Sequence, residues 1–236
     1  MQKLGALLLV LATVPGIGLR AQAPAESRTF LLFLDDLHVE FQHGPRVREL
    51  TRRLVRDLTR NGDRWAIVTT GASSVSVAPT PDPAAMESAL RRITGNGLTA
   101  RKFLDARQQA DGAREIRHRA TVALSTAVAA IAGVSVAENR RPFAVLYISN
   151  GYDAGLIETS GLIQTAVAAN ARVYTLDPRG WSSAADHPGV SQADWEVYLE
   201  ATRIALTTLA SRTQGAAVLT EGDLGTALAR LAQGRR

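Results

Sequence analysis

The chain contains no cysteine. Disulfides, thiolate zinc ligands and cysteine nucleophiles are therefore excluded, and a folded domain of this sequence must be held together by its apolar core. Aromatic residues make up only 5% of the chain and do not interleave with the arginines of the arginine-rich segment 46–60, and no glycine-rich phosphate-binding loop is present. We therefore expect no nucleic-acid partner.

Long apolar runs are also scarce, and the one that stands out lies at the amino terminus. Lys3 precedes the apolar residues 4–14, and small residues follow around Ala23. The run is too short for the alternative, a membrane anchor, whereas a positive residue, a short apolar run and small residues are typical of a secretory signal peptide. We predict a signal peptide over residues 1–25, cleaved after Ala23 or Ala25, and export to the periplasm or the cell exterior. We expect no membrane span elsewhere.

The rest of the chain has the composition of one folded domain. Hydrophobic residues make up 46% and charged residues 21%, with no shift in composition that would mark a linker. We therefore predict a single domain over residues 28–233. The formal charge is +5, and part of the excess lies in one segment that we interpret as the solvated face of a helix. Its arginines are Arg46, Arg48, Arg52, Arg53, Arg56 and Arg60.

One stretch organises this domain. Residues 30–34 are apolar without a break and are followed by Asp35 and Asp36. A strand that is apolar on both faces must be covered on both, which places it in the middle of an α/β sheet. In such sheets the functional crevice lies beyond the carboxyl ends of the central strands. The sequence therefore predicts that these two carboxylates lie at the functional edge.

The remaining pattern alternates strands with helices. The connection 71–73 is too short for a parallel crossover, so we predict an antiparallel edge strand at 74–77 that stops at Pro79. Residues 99–112 read as irregular, and a long helix is predicted over 114–132. We predict a doubly wound, mostly parallel six-stranded α/β sheet with one antiparallel edge strand and helices on both faces. The other strands are predicted at 65–70, 143–148, 172–176 and 216–219.

No residue pattern indicates an active site. No serine lies in a Gly-x-Ser-x-Gly motif, and His43 and His187 lie in predicted loops without partner spacing. Asp35 and its neighbour in sequence should point to opposite faces of an extended backbone. We therefore predict a non-enzymatic protein. A hydrolase built from Asp35, His38 and Ser149 is the alternative.

The order of elements and three short motifs resemble the von Willebrand factor type A (VWA) domain. The motifs are Leu-Phe-Leu-Asp-Asp-Leu at 32–37, Asp-Arg-Trp-Ala-Ile-Val at 63–68 and Asn-Gly-Tyr at 150–152. Within that family the chain looks most like the exported VWA-related proteins of acidobacteria. The resemblance covers about residues 30–231.

The resemblance implies a metal-ion-dependent adhesion site, where a cation such as Mg²⁺ is held by Asp-x-Ser-x-Ser, a Thr and an Asp before Gly. Asp35 takes the place of the first aspartate, Thr99 that of the threonine and Asn150 that of the last aspartate. The two serine positions fall on Leu37 and Val39, which have no side-chain oxygen for a hard cation. We therefore expect a degenerate site and no cofactor.

Two readings of the neighbouring polar residues stay open. Asp36, His38 and Glu40 alternate, and with Asp153 they could build a different site for a divalent cation (Mg²⁺, Mn²⁺ or Ca²⁺). Alternatively, Asp35 and Asp36 cap backbone groups at the strand end while the histidine and the glutamate lie on a solvated loop. We favour the second reading.

The resemblance also implies a protein partner that docks at the carboxyl edge of the sheet. Recognition usually lies on loops that a rigid scaffold holds in place. We expect Tyr152 and Trp181 to be aromatic anchors of that surface. The loops that should form it follow Asp35, Gly95, Asn150 and Asp177.

Overall fold

The structure is a computed structural model that describes residues 27–233. The predicted signal peptide lies outside the described residues. Six strands form one sheet in the order β3-β2-β1-β4-β5-β6, and only β3 is antiparallel to its neighbour. The predicted doubly wound fold with an antiparallel edge strand is confirmed. The strands are β1 Thr29–Leu34, β2 Arg64–Thr69, β3 Ser76–Thr80, β4 Phe143–Ile148, β5 Ala171–Leu176 and β6 Ala217–Val218.

Helices cover both faces of the sheet. Alternate residues of the fully buried strand β1 pack into two separate apolar layers. One layer includes residues of α1, α2 and α7, and the other includes residues of α4, α5 and α6. The helices are α1 Gly44–Leu58, α2 Pro83–Arg91, α3 Ala100–Arg107, α4 Ala110–Ala137, α5 Ser160–Ala168, α6 Gln192–Arg212 and α7 Glu221–Gln233.

The edge strand begins and ends later than the sequence pattern indicated. The observed strand β3 covers Ser76–Thr80 and includes Pro79, which we had expected to end it. A proline lacks the N–H that a central strand needs, but an edge strand leaves alternate N–H groups facing solvent. Ser74, in the predicted strand, instead adopts a positive φ of 45° in the turn.

Helix α3 was missed by the sequence reading. Residues 99–112 were predicted to be irregular, but α3 begins after Thr99, whose side chain accepts a hydrogen bond from the Lys102 backbone N–H. Helix α4 then starts at Ala110 and includes Gly112 in its first turn. Phe103 of α3 packs with Ile116 in a small third apolar cluster, which explains why this polar segment folds against the domain.

Helix α4 packs against the sheet through its alanine-rich centre. Val122, Leu124 and Val128 are only partly buried. By length and composition α4 is also the one described helix that would suit a membrane span, contrary to our expectation, but a core helix passes the same test. Its inner stripe packs against the sheet, so composition alone does not establish a span. The buried stripe is Ile116, Ala120, Ala123, Ala127, Ile131 and Val134.

Candidate functional site

Asp35 lies directly after β1, at the carboxyl edge of the sheet, and is fully buried. Its Oδ2 accepts hydrogen bonds from the Ser149 hydroxyl at 2.8 Å and the Tyr152 hydroxyl at 2.7 Å. His38 Nδ1 lies 2.9 Å from the same carboxylate, and Thr70 Oγ1 lies 3.2 Å from Oδ1. Protein donors therefore surround both oxygens of this carboxylate.

The electrostatics keep Asp35 ionised. Burial by itself would raise the pKa of Asp35, but the charge of His38 and the hydrogen bonds from His38, Tyr152 and Ser149 together lower it below its ordinary value. Burial and the Asp35 charge raise the pKa of Tyr152 and of Tyr147, whose hydroxyls are hydrogen-bonded to each other. Both tyrosines thus stay protonated, and Tyr152 acts as a donor to a carboxylate.

This donor set does not match what a hard cation needs. A cation binds oxygen lone pairs, and the lone pairs of Asp35 already face hydrogen-bond donors. Leu37 and Val39 offer no oxygen, and Val39 lies in the apolar core. Thr99 is exposed and caps α3. The residues around Asp35 therefore do not fit the cation that the resemblance implies.

The other two carboxylates among our candidate ligands have separate partners. Asp36 accepts hydrogen bonds from Thr70 Oγ1 at 2.8 Å and from the Ser73 backbone N–H at 2.7 Å. Asp153 pairs with Arg107 Nε at 2.7 Å and accepts from a backbone N–H in its own loop. Asp36 therefore caps backbone, as our favoured reading held, while the buried Asp153 forms an ion pair with an exposed arginine.

Asn150 belongs to a different cluster. Its backbone oxygen accepts from Arg179 Nη2 at 2.5 Å, and its side-chain Nδ2 lies 3.5 Å from the Tyr198 hydroxyl. Its Oδ1 is buried and has no hydrogen-bond partner among the described residues. Within residues 27–233, no three His, Asp or Glu side chains form a group that could hold a metal ion.

A buried ion-pair network centred on Arg179 joins the loops after β4 and β5. The Arg179 guanidinium makes two hydrogen bonds to Asp177, at 2.8 and 3.0 Å, and lies over the ring of Tyr198 with its central carbon 4.6 Å from the ring centroid. Arg203 of α6 donates to the same aspartate at 2.7 Å. Two guanidinium groups thus share one buried carboxylate, and the loop after β5 is fixed to α6.

Three residues that we placed in solvated or unpartnered loops lie together in the interior. They are Glu40, His43 and His187, which are 1%, 5% and 4% exposed. The prediction that Glu40 lies on a solvated loop was therefore wrong, and so was the prediction that the two histidines lie in loops without partners. Gln42 Nε2 donates to Glu40 Oε2 at 3.0 Å and lies 3.3 Å from His187 Nδ1. The two imidazole centroids are 5.8 Å apart. No spacing in the sequence signals this contact, because it joins segments more than 140 residues apart.

Burial shifts the pKa of these groups in opposite directions. It raises the pKa of Glu40 to about 7, although Arg179 and a hydrogen bond from Gln42 lower it in part. It lowers the pKa of His43 to about 4, and the nearby His187 and Arg179 lower it further. Near neutral pH both imidazoles are therefore uncharged, and Glu40 is close to the midpoint of its titration.

The exposed aromatic residue at this edge is neither of the two that we predicted. Tyr152 is buried against Asp35, and Trp181 is partly buried and packs against the core. Phe41, between Glu40 and Gln42, is 75% exposed. Aromatic residues are enriched among the residues that anchor protein–protein interfaces.

The predicted recognition loops are joined to one another. The backbone N–H of Gly97 donates to Val39 at 2.8 Å and that of Asn96 donates to Asp36 at 2.7 Å, which ties the 95–99 loop to the loop after β1. Arg179 ties the loops after β4 and β5 together. A cavity of about 20 Å³, room for about one water molecule, lies between these loops and helices α3 and α4.

The alternative active site is not assembled as a nucleophile with its base. Ser149 is fully buried, donates its hydroxyl proton to Asp35 and accepts from the Gly151 backbone N–H at 2.9 Å. A serine nucleophile must instead donate to a general base and face its substrate. His38 contacts the aspartate, but the serine hydroxyl is directed to the carboxylate rather than to the imidazole.

Comparison with known proteins adds only a coarse likeness. No family model matches the chain, and no curated protein sequence matches it. Proximal thread matrix protein 1 from the mussel byssus is similar over 87% of this chain and 47% of its own, at 12% identity and a TM-score of 0.44. The chain thus spans about half the length of that protein. The TFIIH p34 N-terminal domain is similar over 88% of this chain and 97% of its own, at 16% identity and a TM-score of 0.41. At these values neither structure carries an argument about function.

Proposed function

We propose that the chain is an exported, non-enzymatic VWA-type interaction domain that binds a protein partner at the carboxyl edge of its sheet without a divalent cation. The sheet order and the antiparallel edge strand agree with the architecture that the VWA resemblance implies. The observation that carries the proposal is Phe41, an exposed aromatic side chain on a segment whose neighbours Glu40 and His43 are buried.

A fixed, exposed aromatic side chain suits recognition energetically. Phe41 loses apolar contact with water when a partner covers it, and its backbone is already ordered by the buried residues on either side. Burying a phenylalanine side chain is worth about 1.5–3 kcal/mol. Polar groups of the loop after β5 lie beside this segment, since Gln42 contacts His187 and Arg46 donates to the Ser182 hydroxyl at 3.2 Å.

The absence of a cation is supported by the surroundings of Asp35. A metal-dependent version of the domain, which is the second candidate, would have to displace the hydroxyls of Ser149 and Tyr152 from a buried carboxylate. Each of these hydrogen bonds to a charged group contributes about 1.5–3 kcal/mol. In our proposal these donors permanently take the place of the cation.

Site-specific photocrosslinking tests the docking surface. A benzophenone amino acid replaces Phe41 in one variant and Val136 in the other, and both are produced in the source organism. Val136 is a matched control because it is 74% exposed and lies at the end of α4, next to the amino edge of the sheet. We expect a discrete crosslinked protein from position 41 only, and its loss when wild-type chain competes. Identical products from both positions, or none from position 41, would contradict the proposal.

Export is tested by the mass of the protein recovered from cell fractions. We expect the chain in the periplasm or the medium, and its amino terminus at Pro24 or Glu26. Recovery of the intact chain from the cytoplasm would contradict export and would leave the docking surface unaffected.

A further inference from the structure

A contact between two buried histidines holds the segment that carries Phe41 against the rest of the domain. Phe41 faces solvent, while His43, two residues later, packs against His187 of the loop after β5. His187 in turn stacks on Trp195 of α6, with centroids 4.2 Å apart. The position of the exposed aromatic side chain therefore depends on an imidazole–imidazole contact between two loops.

This contact is built for uncharged imidazoles. The side-chain amide of Gln42 is a donor toward His187 Nδ1, so that nitrogen must accept, and neutral His187 carries its proton on Nε2. Protonation would place a second donor against the amide. His187 Nε2 and His43 Nδ1 are buried and have no hydrogen-bond partner among the described residues. A proton on His43 Nδ1 therefore has no acceptor in the closed arrangement, whereas a proton added at His187 Nδ1 would lie 3.8 Å from Glu40 Oε2, beyond hydrogen-bond distance.

The arginines that face the two histidines oppose protonation, whereas the charge of Asp177 favours it at His43 and the charge of Asp186 favours it at His187. Arg179 acts on both imidazoles, and Arg46 of α1 acts on His43. Asp177 is already shared by Arg179 and by Arg203 of α6. The remaining acidic group that faces the pair is Glu40, whose Oε2 lies 3.8 Å from His187 Nδ1.

We propose that the His43–His187 contact is an acid-released latch, which holds the segment carrying Phe41 in place near neutral pH and frees it when the two imidazoles are protonated. The role in recognition rests on the proposed function, because Phe41 is the docking residue there. The latch itself is a property of the loops and needs no partner.

The direction of the pH dependence follows from proton counts. The pKa of His43 is lowered to about 4, and that of His187 is lowered mainly by burial, so the open form binds more protons below the ordinary histidine pKa. Glu40 acts oppositely, because its raised pKa makes the closed form the better proton binder between about 4.5 and 7. Between about pH 5 and pH 6 the proton uptake by His43 and the proton release by Glu40 nearly cancel, so the net uptake on opening comes from His187 and is at most about one proton. Opening should then increase by up to about tenfold per pH unit below pH 6.

Amide hydrogen exchange on the full chain measures this opening without a partner. The reporters are the backbone N–H groups of Val39, His43 and Gly97, which donate to Asp35, Glu40 and Val39. Protection, corrected for the intrinsic exchange rate at each pH, should fall between pH 7 and pH 5 at these amides and stay constant in β4. Unchanged protection at the reporters, or equal loss throughout the sheet, would overturn the latch.

A variant that cannot be protonated supplies the control. In the double variant His43→Asn/His187→Asn we expect no loss of protection on acidification. The single variant His187→Asn retains an oxygen acceptor for Gln42, and its amide protection should depend less steeply on pH than that of wild type. If amide protection in either variant depended on pH as steeply as in wild type, the proposal would be overturned. If the reporter amides lose protection in acid but position 41 gives no crosslinked protein, the proposed function is refuted and the latch is not.

Discussion

The Tyr152 hydroxyl donates to Asp35 Oδ2 at 2.7 Å, and so joins the loop after β4 to the carboxylate that follows β1. The VWA resemblance implies a cation ligand at Asp35, in a site that we expected to be degenerate, and we expected Tyr152 to contact a partner. Instead the two side chains bind each other in the interior. The recognition edge is consequently organised by internal hydrogen bonds, and its exposed anchor is a different residue.

Removing the Tyr152 hydroxyl should destabilise the domain. Tyr152→Phe deletes a donor to a buried, ionised carboxylate and leaves the Tyr147 hydroxyl without this partner, so we expect a loss of about 1–3 kcal/mol in the free energy of unfolding. Urea denaturation at pH 7 measures it. Tyr174→Phe is the control, because the Tyr174 hydroxyl makes no hydrogen bond recorded within residues 27–233, and it should cost much less. Equal effects would contradict the role of Asp35.

Replacing Glu40 should change how stability depends on pH. Because burial raises the pKa of Glu40 to about 7, its contribution is fully present below its unfolded pKa and is lost as the pH rises through 7. Glu40→Gln removes this loss, so the variant should gain up to about 2–3 kcal/mol relative to wild type between pH 5 and pH 8. Urea denaturation at the two pH values tests it. Glu49→Gln, on the exposed face of α1, is the control and should show the same change in unfolding free energy with pH as wild type. If Glu40→Gln also showed the wild-type change, the argument from the burial of Glu40 would be contradicted.

A methyl group at Gly151 should disrupt the loop that carries Tyr152. Gly151 has φ of +80°, and a Cβ there would lie 2.2 Å from the Thr202 backbone oxygen. We expect Gly151→Ala to cost about 2 kcal/mol or more. Gly133→Ala is the control, because a Cβ at that position in α4 meets nothing within 4 Å and should stabilise the helix by about 0.5–1 kcal/mol. Thermal unfolding distinguishes the two, and a tolerated alanine at position 151 would contradict the observed backbone.

The architecture was predictable because its signals are local. An unbroken apolar run marks β1, and a connection too short for a crossover forces β3 to be antiparallel whatever its exact ends. Boundaries and facing residues were less predictable. Ile204 of α6 is apolar but exposed, since Trp195, Ala205 and Leu209 form the buried side of that helix. Alanines face the sheet from α4 because close packing, rather than hydrophobicity, selects them.

The candidate site was less accessible to sequence reasoning. Asp35 follows a buried strand, so its place at the carboxyl edge could be predicted. Apart from His38, however, its partners come from segments more than 30 residues away. The contact between His43 and His187 has the same cause. Polar residues in loops look alike in a sequence whether they are solvated or buried, and only the packing of the loops distinguishes them.

Thermal melting with and without divalent cations tests the central claim that Asp35 is satisfied by protein donors. A cation that binds the folded state raises the midpoint by mass action. We predict the same melting temperature in Mg²⁺, Mn²⁺, Ca²⁺ and chelator, for wild type and for Asp35→Asn, although the variant melts lower. A midpoint that rises with one of these cations in wild type and does not rise in Asp35→Asn would contradict the account.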